Sequence, residues 1–182
     1  LADFEALWAC LAEYDGLAFY NGGSLAGASQ RHKHLQLIPL PMVPGAMQLP
    51  IAPLLVEQPT STATMMLSGF PFRNGFARFD PMLAQKSLPM PMLMHQCYQT
   101  LLQTMGLCGD DRPLAEQPTA PYNLLATREW MLIVPRSQES FESISVNALG
   151  FAGSLFARDK TQMQQLKAYG PMNLLLKVAI PI

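Results

Sequence analysis

Three observations predict an α+β fold built around an antiparallel sheet. Helix-like and strand-like patterns follow one another as helix, strands, helix, hairpin and helix, with no internal repeat. Two apolar runs, "YNLLAT" at 122–127 and "WMLIVPR" at 130–136, are separated by little more than Arg128-Glu129. So short a connection makes them neighbouring antiparallel strands. A chain of 182 residues, 49% of them hydrophobic, suffices for one domain with a sizeable core.

The elements follow in order. Phe4, Leu7, Trp8 and Leu11 recur at i, i+3, i+4 and i+7, one face of an amphipathic helix, with Asp3 as its cap and Asp15-Gly16 as its stop. "LAFYN", 17–21, is a short buried strand. "NGGSLAGASQ", 21–30, is a loop of small residues. "HKHLQLIPL", 32–40, opens with alternation: as a strand it puts His32, His34 and Gln36 on one face and Lys33, Leu35 and Leu37 on the other. Residues 41 to about 92 are Pro-rich and weakly periodic. Within them Phe70, Phe72, Phe76 and Phe79 mark "GFPFRNGFARF" as a packed segment. A helix from about Met92 to Met105 carries the stripe Met94, Cys97, Tyr98, Leu101, Leu102 and Met105 and ends at Gly106 or Gly109. The hairpin of residues 122–136 lacks the Gly or Asn usual in its turn. "SISVNALGFAGSLFA", 143–157, fits loop, strand or helix. "DKTQMQQLKAYG", 159–170, is a helix capped by Asp159 and stopped by Gly170.

Composition removes several function classes. Charged residues are only 14% and net charge is −1, so there is no basic field for general nucleic-acid binding. Cys10, Cys97 and Cys108 are odd in number and form no CxxC. A disulfide framework and a cysteine zinc site are therefore disfavoured, and a reducing cytoplasm is the expected setting. Residues 37–56 hold no charge, but five prolines interrupt them, so no membrane span is expected.

The densest polar chemistry is "GASQRHKHLQL", 27–37. Two histidines and an amide on one strand face admit three readings. They can be packed and locally satisfied. They can hold a metal, although zinc normally takes at least three protein ligands and no Asp or Glu lies within ten residues of His34. Or a neutral imidazole can attack phosphorus without first needing a base. In that case the small-residue loop brings backbone N–H groups to the phosphate oxygens.

The segment "EYDGLAFYNGGSLAGASQRHKHLQLIPLP", 13–41, closely resembles the ATP adenylyltransferases, also called diadenosine tetraphosphate phosphorylases, of the histidine triad superfamily. They form the branch in which Gln replaces the third His. "YNLLATREWMLIVPRSQESFESISVNALGFAGSLFARDKTQMQQLKAYGPM", 122–172, resembles the carboxy-terminal portion of the same family. The resemblance implies a histidine-triad-like sheet with packed helices. Residues 1–60 would be the catalytic segment and 61–182 the carboxy-terminal part of the same domain.

It also implies chemistry. His34 would attack the α-phosphorus of diadenosine tetraphosphate, releasing ATP. Inorganic phosphate would then take the adenylyl group as ADP. Gln36 would hold the transferring phosphoryl group, and His32 would support the site by hydrogen bonding. Asn21 would contact nucleotide, Gly27, Ala28, Ser29 and Gln30 would bind the polyphosphate, and Thr127, Arg128 and Glu129 would add to the substrate site. No protein-bound cofactor is implied, only Mg2+ accompanying the nucleotide. The implied partners are adenine nucleotides, diadenosine polyphosphates and inorganic phosphate.

Two departures accompany the resemblance. The family's further amino-terminal strands and substrate-binding lysine have no counterpart in a chain that opens on Leu1, and Gln138 stands where the family has a lysine. The expectation is a chain cut short at its amino terminus, with an incomplete sheet and weak or absent turnover. Elsewhere simpler roles are expected. Arg128 and Arg136 read as phosphate ligands or, more often, solvated charges, Asn123 as a nucleotide contact or a strand-end residue, Trp130 as core rather than an adenine platform, and the methionine stripe as core. His95 reads as a satisfied helix histidine, Lys33 as a surface charge, and the three cysteines as inert buried thiols.

Overall fold

The computed structural model describes residues 1–45, 48–55, 64–79, 88–108 and 118–182. Helix α1, Ala2–Glu13, buries Phe4, Leu7 and Leu11 as its stripe predicts. Asp3 does not cap it; the N-cap is Leu1, and Asp3 lies in the first turn, paired with Lys33. Strand β1, Gly16–Gly22, follows, and then a single 3-10 turn, Ser24–Ala26.

Strand β2 is Leu35–Pro39, three residues shorter at its start than the alternation suggests. Its partner residues on β1 end at Tyr20, opposite Leu35, so His32 and His34 lie on the exposed approach to the strand. The Pro-rich region is not all loop. It holds a short helix α2, Ala52–Leu55, and a strand β3, Gly75–Arg78, in the phenylalanine-rich segment. Phe70, Phe72, Phe76 and Phe79 are all buried.

Helix α3 runs Met90–Thr104, with Gly106 in the left-handed region just beyond it; Gly109 lies outside the described residues. The predicted hairpin is β4, Tyr122–Ala126, with β5, Trp130–Pro135, and Trp130 is core. A small hairpin of β6, Ser140–Phe141, and β7, Ile144–Ser145, leads to α4, Ala148–Phe151. Helix α5, Lys160–Tyr169, is capped by Asp159, which accepts from Gln162 N at 2.8 Å. Gly170 at φ 81° then turns the chain into α6, Pro171–Val178.

Among the described residues, five strands form one antiparallel sheet in the order β2-β1-β4-β5-β3. Alternation splits the core in two. One face carries Leu17, Phe19, Leu125, Leu132 and Val134 against α2, α4, α6 and the phenylalanine segment. The other carries Ala18, Leu124, Met131 and Ile133 against α1 and α3. Strand β3 has Met65 bridged to Phe76, whereas β2 is an edge strand. The candidate catalytic residues therefore sit at one edge of the sheet.

Candidate functional site

Register places the motif. Gln36 lies opposite Phe19, so it shares that residue's face. The pairing ends one step on, at Tyr20 and Leu35, so His34 lies just ahead of the paired part of β2 and Asn21 just beyond the paired part of β1 on that side. The imidazoles of His32 and His34 are exposed, with ring centroids 6.0 Å apart and tilted 30°. Lys33 turns the other way, onto Asp3 of α1. Among the described residues, no group of three or more His, Cys, Asp or Glu could hold a metal ion.

The loop ahead of the motif is fixed from below. Gly27 has φ 85°, and a Cβ there would lie 3.0 Å from the carbonyl oxygen of Val146. Glycine meets both demands, the left-handed backbone and the close approach. Ala28 is half-buried, while Ser29 and Gln30 are exposed.

Beneath this loop is a polar network that the sequence reading missed. Asn123, opposite Asn21 on β4, is 1% exposed, and Arg136, just past β5, is 2% exposed. Arg136 is thus neither a solvated charge nor a surface phosphate ligand, because carbonyls from several distant segments surround it. Its Nε donates to Val178 O at 3.0 Å, Nη1 to Val146 O at 2.9 Å, and Nη2 to Gln138 O at 2.8 Å. Nη1 also donates to Asn123 Oδ1. Asn123 Nδ2 in turn donates to Asn21 Oδ1 at 2.8 Å and to Ala26 O at 2.9 Å. Asn21 Oδ1 also accepts from Ala148 N at 2.9 Å. Burial lowers the Arg136 pKa to about 10, opposed by Glu139, so the group stays charged at neutral pH. Its guanidinium lies 5.4 Å from the Phe151 ring centroid. The clue in the sequence was an Asn and an Arg closing two apolar strands.

The turn of Thr127, Arg128 and Glu129 is elsewhere. It joins β4 to β5 beyond Ala126, which pairs with Ala18, whereas His34 lies past the other end of β1. Thr127 Oγ1 accepts from Glu129 N at 3.1 Å, and Phe79 N donates to Glu129 O at 2.7 Å. Arg128 donates to Leu11 O and pairs with Asp15 at 3.1 Å. The structure does not bring these three residues to His34; it engages them in holding α1 and β3 to the sheet. A surface cavity of about 300 Å³, lined by Ser145, Asn147, Phe156, Arg158 and Gln162, lies nearer, since Asn147 packs under Gly27.

The remaining expectations resolve simply. Cys97 is buried and its thiol is pushed up to about 11 by desolvation, but Cys10 is exposed, so it is not a buried thiol. Burial also lowers the pKa of His95, whose ring packs 5.7 Å from Phe4. No helix among the described residues is long and apolar enough to cross a membrane. Gln138 donates to Lys177 O at 3.1 Å.

Comparison with known proteins identifies the family and the fold. The Ap4A phosphorylase N-terminal domain matches residues 1–57, and the ATP adenylyltransferase C-terminal domain matches residues 68–181. The first segment supplies β1 and β2 and the second supplies β3, β4 and β5, yet all five share one sheet. Diadenosine 5',5'''-P1,P4-tetraphosphate phosphorylase 2 of Saccharomyces cerevisiae is 28% identical over 160 residues, 82% of this chain and 47% of that protein. Protein APA1 of the same yeast is 27% identical over 154 residues, 79% of this chain and 45% of that protein. The chain thus spans about half the length of the curated relatives it matches.

Among solved structures, yeast Ap4A phosphorylase Apa2 in complex with AMP superposes with a TM-score of 0.77 at 22% identity, over 99% of this chain and 62% of that one. The same enzyme with Ap4A gives 0.69 at 24% identity, over 92% and 55%. These likenesses establish the α+β fold, and the family matches establish descent: the chain belongs to the ATP adenylyltransferase family.

Proposed function

We propose that this chain carries the adenylyl-transfer centre of a diadenosine tetraphosphate phosphorylase. One observation carries the reading. Gln36 shares a sheet face with Asn21, whose side-chain oxygen is already occupied by two donors, and His34 lies just ahead of the strand that carries Gln36. An imidazole and two side-chain amides thus converge beside a loop of small residues, which suits a nucleophile flanked by neutral phosphate donors.

In this reading His34 attacks the α-phosphorus of diadenosine tetraphosphate. The bond to the bridging oxygen breaks, ATP leaves with that oxygen, and adenylyl-histidine remains. Inorganic phosphate then attacks the same phosphorus, giving ADP and free imidazole. Mg2+ arrives with the polyphosphate as part of the substrate. The three free thiols suit a reducing cytoplasm.

Labelling tests this. Protein incubated with α-labelled diadenosine tetraphosphate and quenched in alkali should retain label, because phosphoramidates survive base and break in acid. His34→Ala should retain none. Acid-stable label, or label persisting in that variant, sinks the nucleophile assignment. The chain's span of about half its relatives favours one second reading, a domain that binds adenine nucleotides without turnover. It predicts nucleotide binding with no label on His34.

A further inference from the structure

We infer that Arg136 and Asn123 are positioning residues for phosphate: they form a buried relay that turns the amide of Asn21 so that its N–H2 group faces the reacting phosphoryl group. This rests on the reading above and deepens it, since that reading assigns no role to either buried residue.

The orientation follows from donor and acceptor inventory. A guanidinium can only donate, so the atom of Asn123 beside Arg136 Nη1 must be its oxygen. That fixes the Asn123 nitrogen on the opposite side, where it donates to Asn21. The Asn21 atom receiving it must then be oxygen, and Ala148 N, which also only donates, requires the same. Both amides are thereby locked, and the Asn21 nitrogen is left on the side away from the network. That side belongs to the face shared with Gln36, which follows His34 by two residues.

The relay is charged at its root. Arg136 carries its charge at 2% exposure, with its donors directed at carbonyls and at Asn123. Hydrogen bonds in series from a cation polarise one another, so the terminal N–H becomes a stronger donor than an isolated amide. A buried cation thus acts on a phosphate it does not touch, through two neutral side chains. Asn123 and Arg136 also share Ala26 O, at 2.9 and 3.4 Å, so they pin the residue before Gly27. The Asn21 amide and the glycine loop are therefore held by one network.

The test uses two substitutions that keep shape. Asn123→Asp keeps the acceptor for Arg136 but removes the donor to Asn21. Asn21→Asp keeps the acceptor for Asn123 and Ala148 but cannot donate to phosphate. Single-turnover labelling of His34 is measured for both and for the double variant, with melting temperature as the fold control.

Each single variant is expected to melt within a few degrees of the parent, and each should slow labelling by roughly tenfold or more. The double variant should be little slower than the worse single one, because the residues act in series. Unchanged labelling in folded Asn21→Asp overturns the inference, whatever Asn123→Asp does. Losses that multiply in the double variant overturn the relay.

A second measurement separates this from the underlying reading. Inorganic phosphate should shift the side-chain amide resonance of Asn21 in the parent but not in Asn123→Asp. If the parent never labels His34 yet shows that shift, the phosphorylase reading fails and the relay stands. If neither labelling nor shift appears, both fail.

Discussion

Two pairs of consecutive residues, Tyr20-Asn21 on β1 and Tyr122-Asn123 on β4, send their side chains to opposite faces of the sheet at the same end. On the α1 and α3 side, Tyr122 meets Tyr98 of α3 with oxygens 2.6 Å apart, and the Tyr20 ring lies 5.8 Å from that of Tyr122. On the other side, Asn21 and Asn123 join Arg136. The phenols satisfy each other and stop there. The amides transmit, because each has a donor end and an acceptor end, and a cation sets their direction. The same backbone thus supports a closed polar pair on one face and an open polar chain on the other.

The largest effect should come from the root of the open chain. Arg136→Met fills similar volume but strands the carbonyls of Val146, Val178 and Gln138 as well as Asn123 Oδ1. Leaving several buried acceptors unpaired should cost at least about 3 kcal/mol, read as a fall in the urea midpoint at unchanged slope. A loss below about 1 kcal/mol would mean that water replaces the guanidinium, and the contrast between the faces would weaken.

The closed pair should behave differently. Tyr98→Phe strands the hydroxyl of Tyr122 and should cost about 1–2 kcal/mol, while adding Tyr122→Phe should recover most of that loss. Labelling of His34 should not change in either variant. Alkaline titration sharpens the point. Burial pushes Tyr98 up to about 12 and raises Tyr122 further. Below pH 10 the phenols are neutral in both folded and unfolded chains, so their contribution is intact. Between pH 10 and about 12 only the unfolded chain releases these protons, and stability falls. The double Phe variant should show a shallower alkaline loss. An identical slope would assign that loss to other groups.

Lys33 offers the smallest effect. Its bond to Asp3 joins side chains 61% and 51% exposed, so Lys33→Ala should change stability by less than about 0.5 kcal/mol, less still in high salt. A larger loss would show that the motif loop leans on α1.

What the sequence made legible was local. The α1 stripe, the hairpin and the Asp159 cap each rest on contacts within one or two turns or strands. Strand β3 was hidden because Pro-rich flanks mask four residues, although Phe76 faces one core and Ala77 the other. Helix α6 was signalled by Gly170-Pro171 and overlooked. The burial of Arg136 could not be read locally, because Ala26, Val146 and Val178 meet only in the folded chain. For the site, the motif marked His34 as the proposed nucleophile and located the small-residue loop before it. Arg128 next to a turn looked equally available, yet pairing register sends it to the far end of β1.

The sheet order also has a consequence for synthesis. The strand leading to the Gly27 loop pairs with β4, and the Asn21–Asn123 bond spans 102 positions. At about 5–20 residues per second, a ribosome needs roughly 5–20 s to travel that distance. Through that interval β1 and β2 have left the tunnel, or are leaving it, while β4, the other partner of β1, is unmade. Apolar β1, "GLAFYNG", spends that time without its central partner. The order of translation therefore leaves the inner edge of β1 open until β4 follows, which makes it a segment in need of a chaperone.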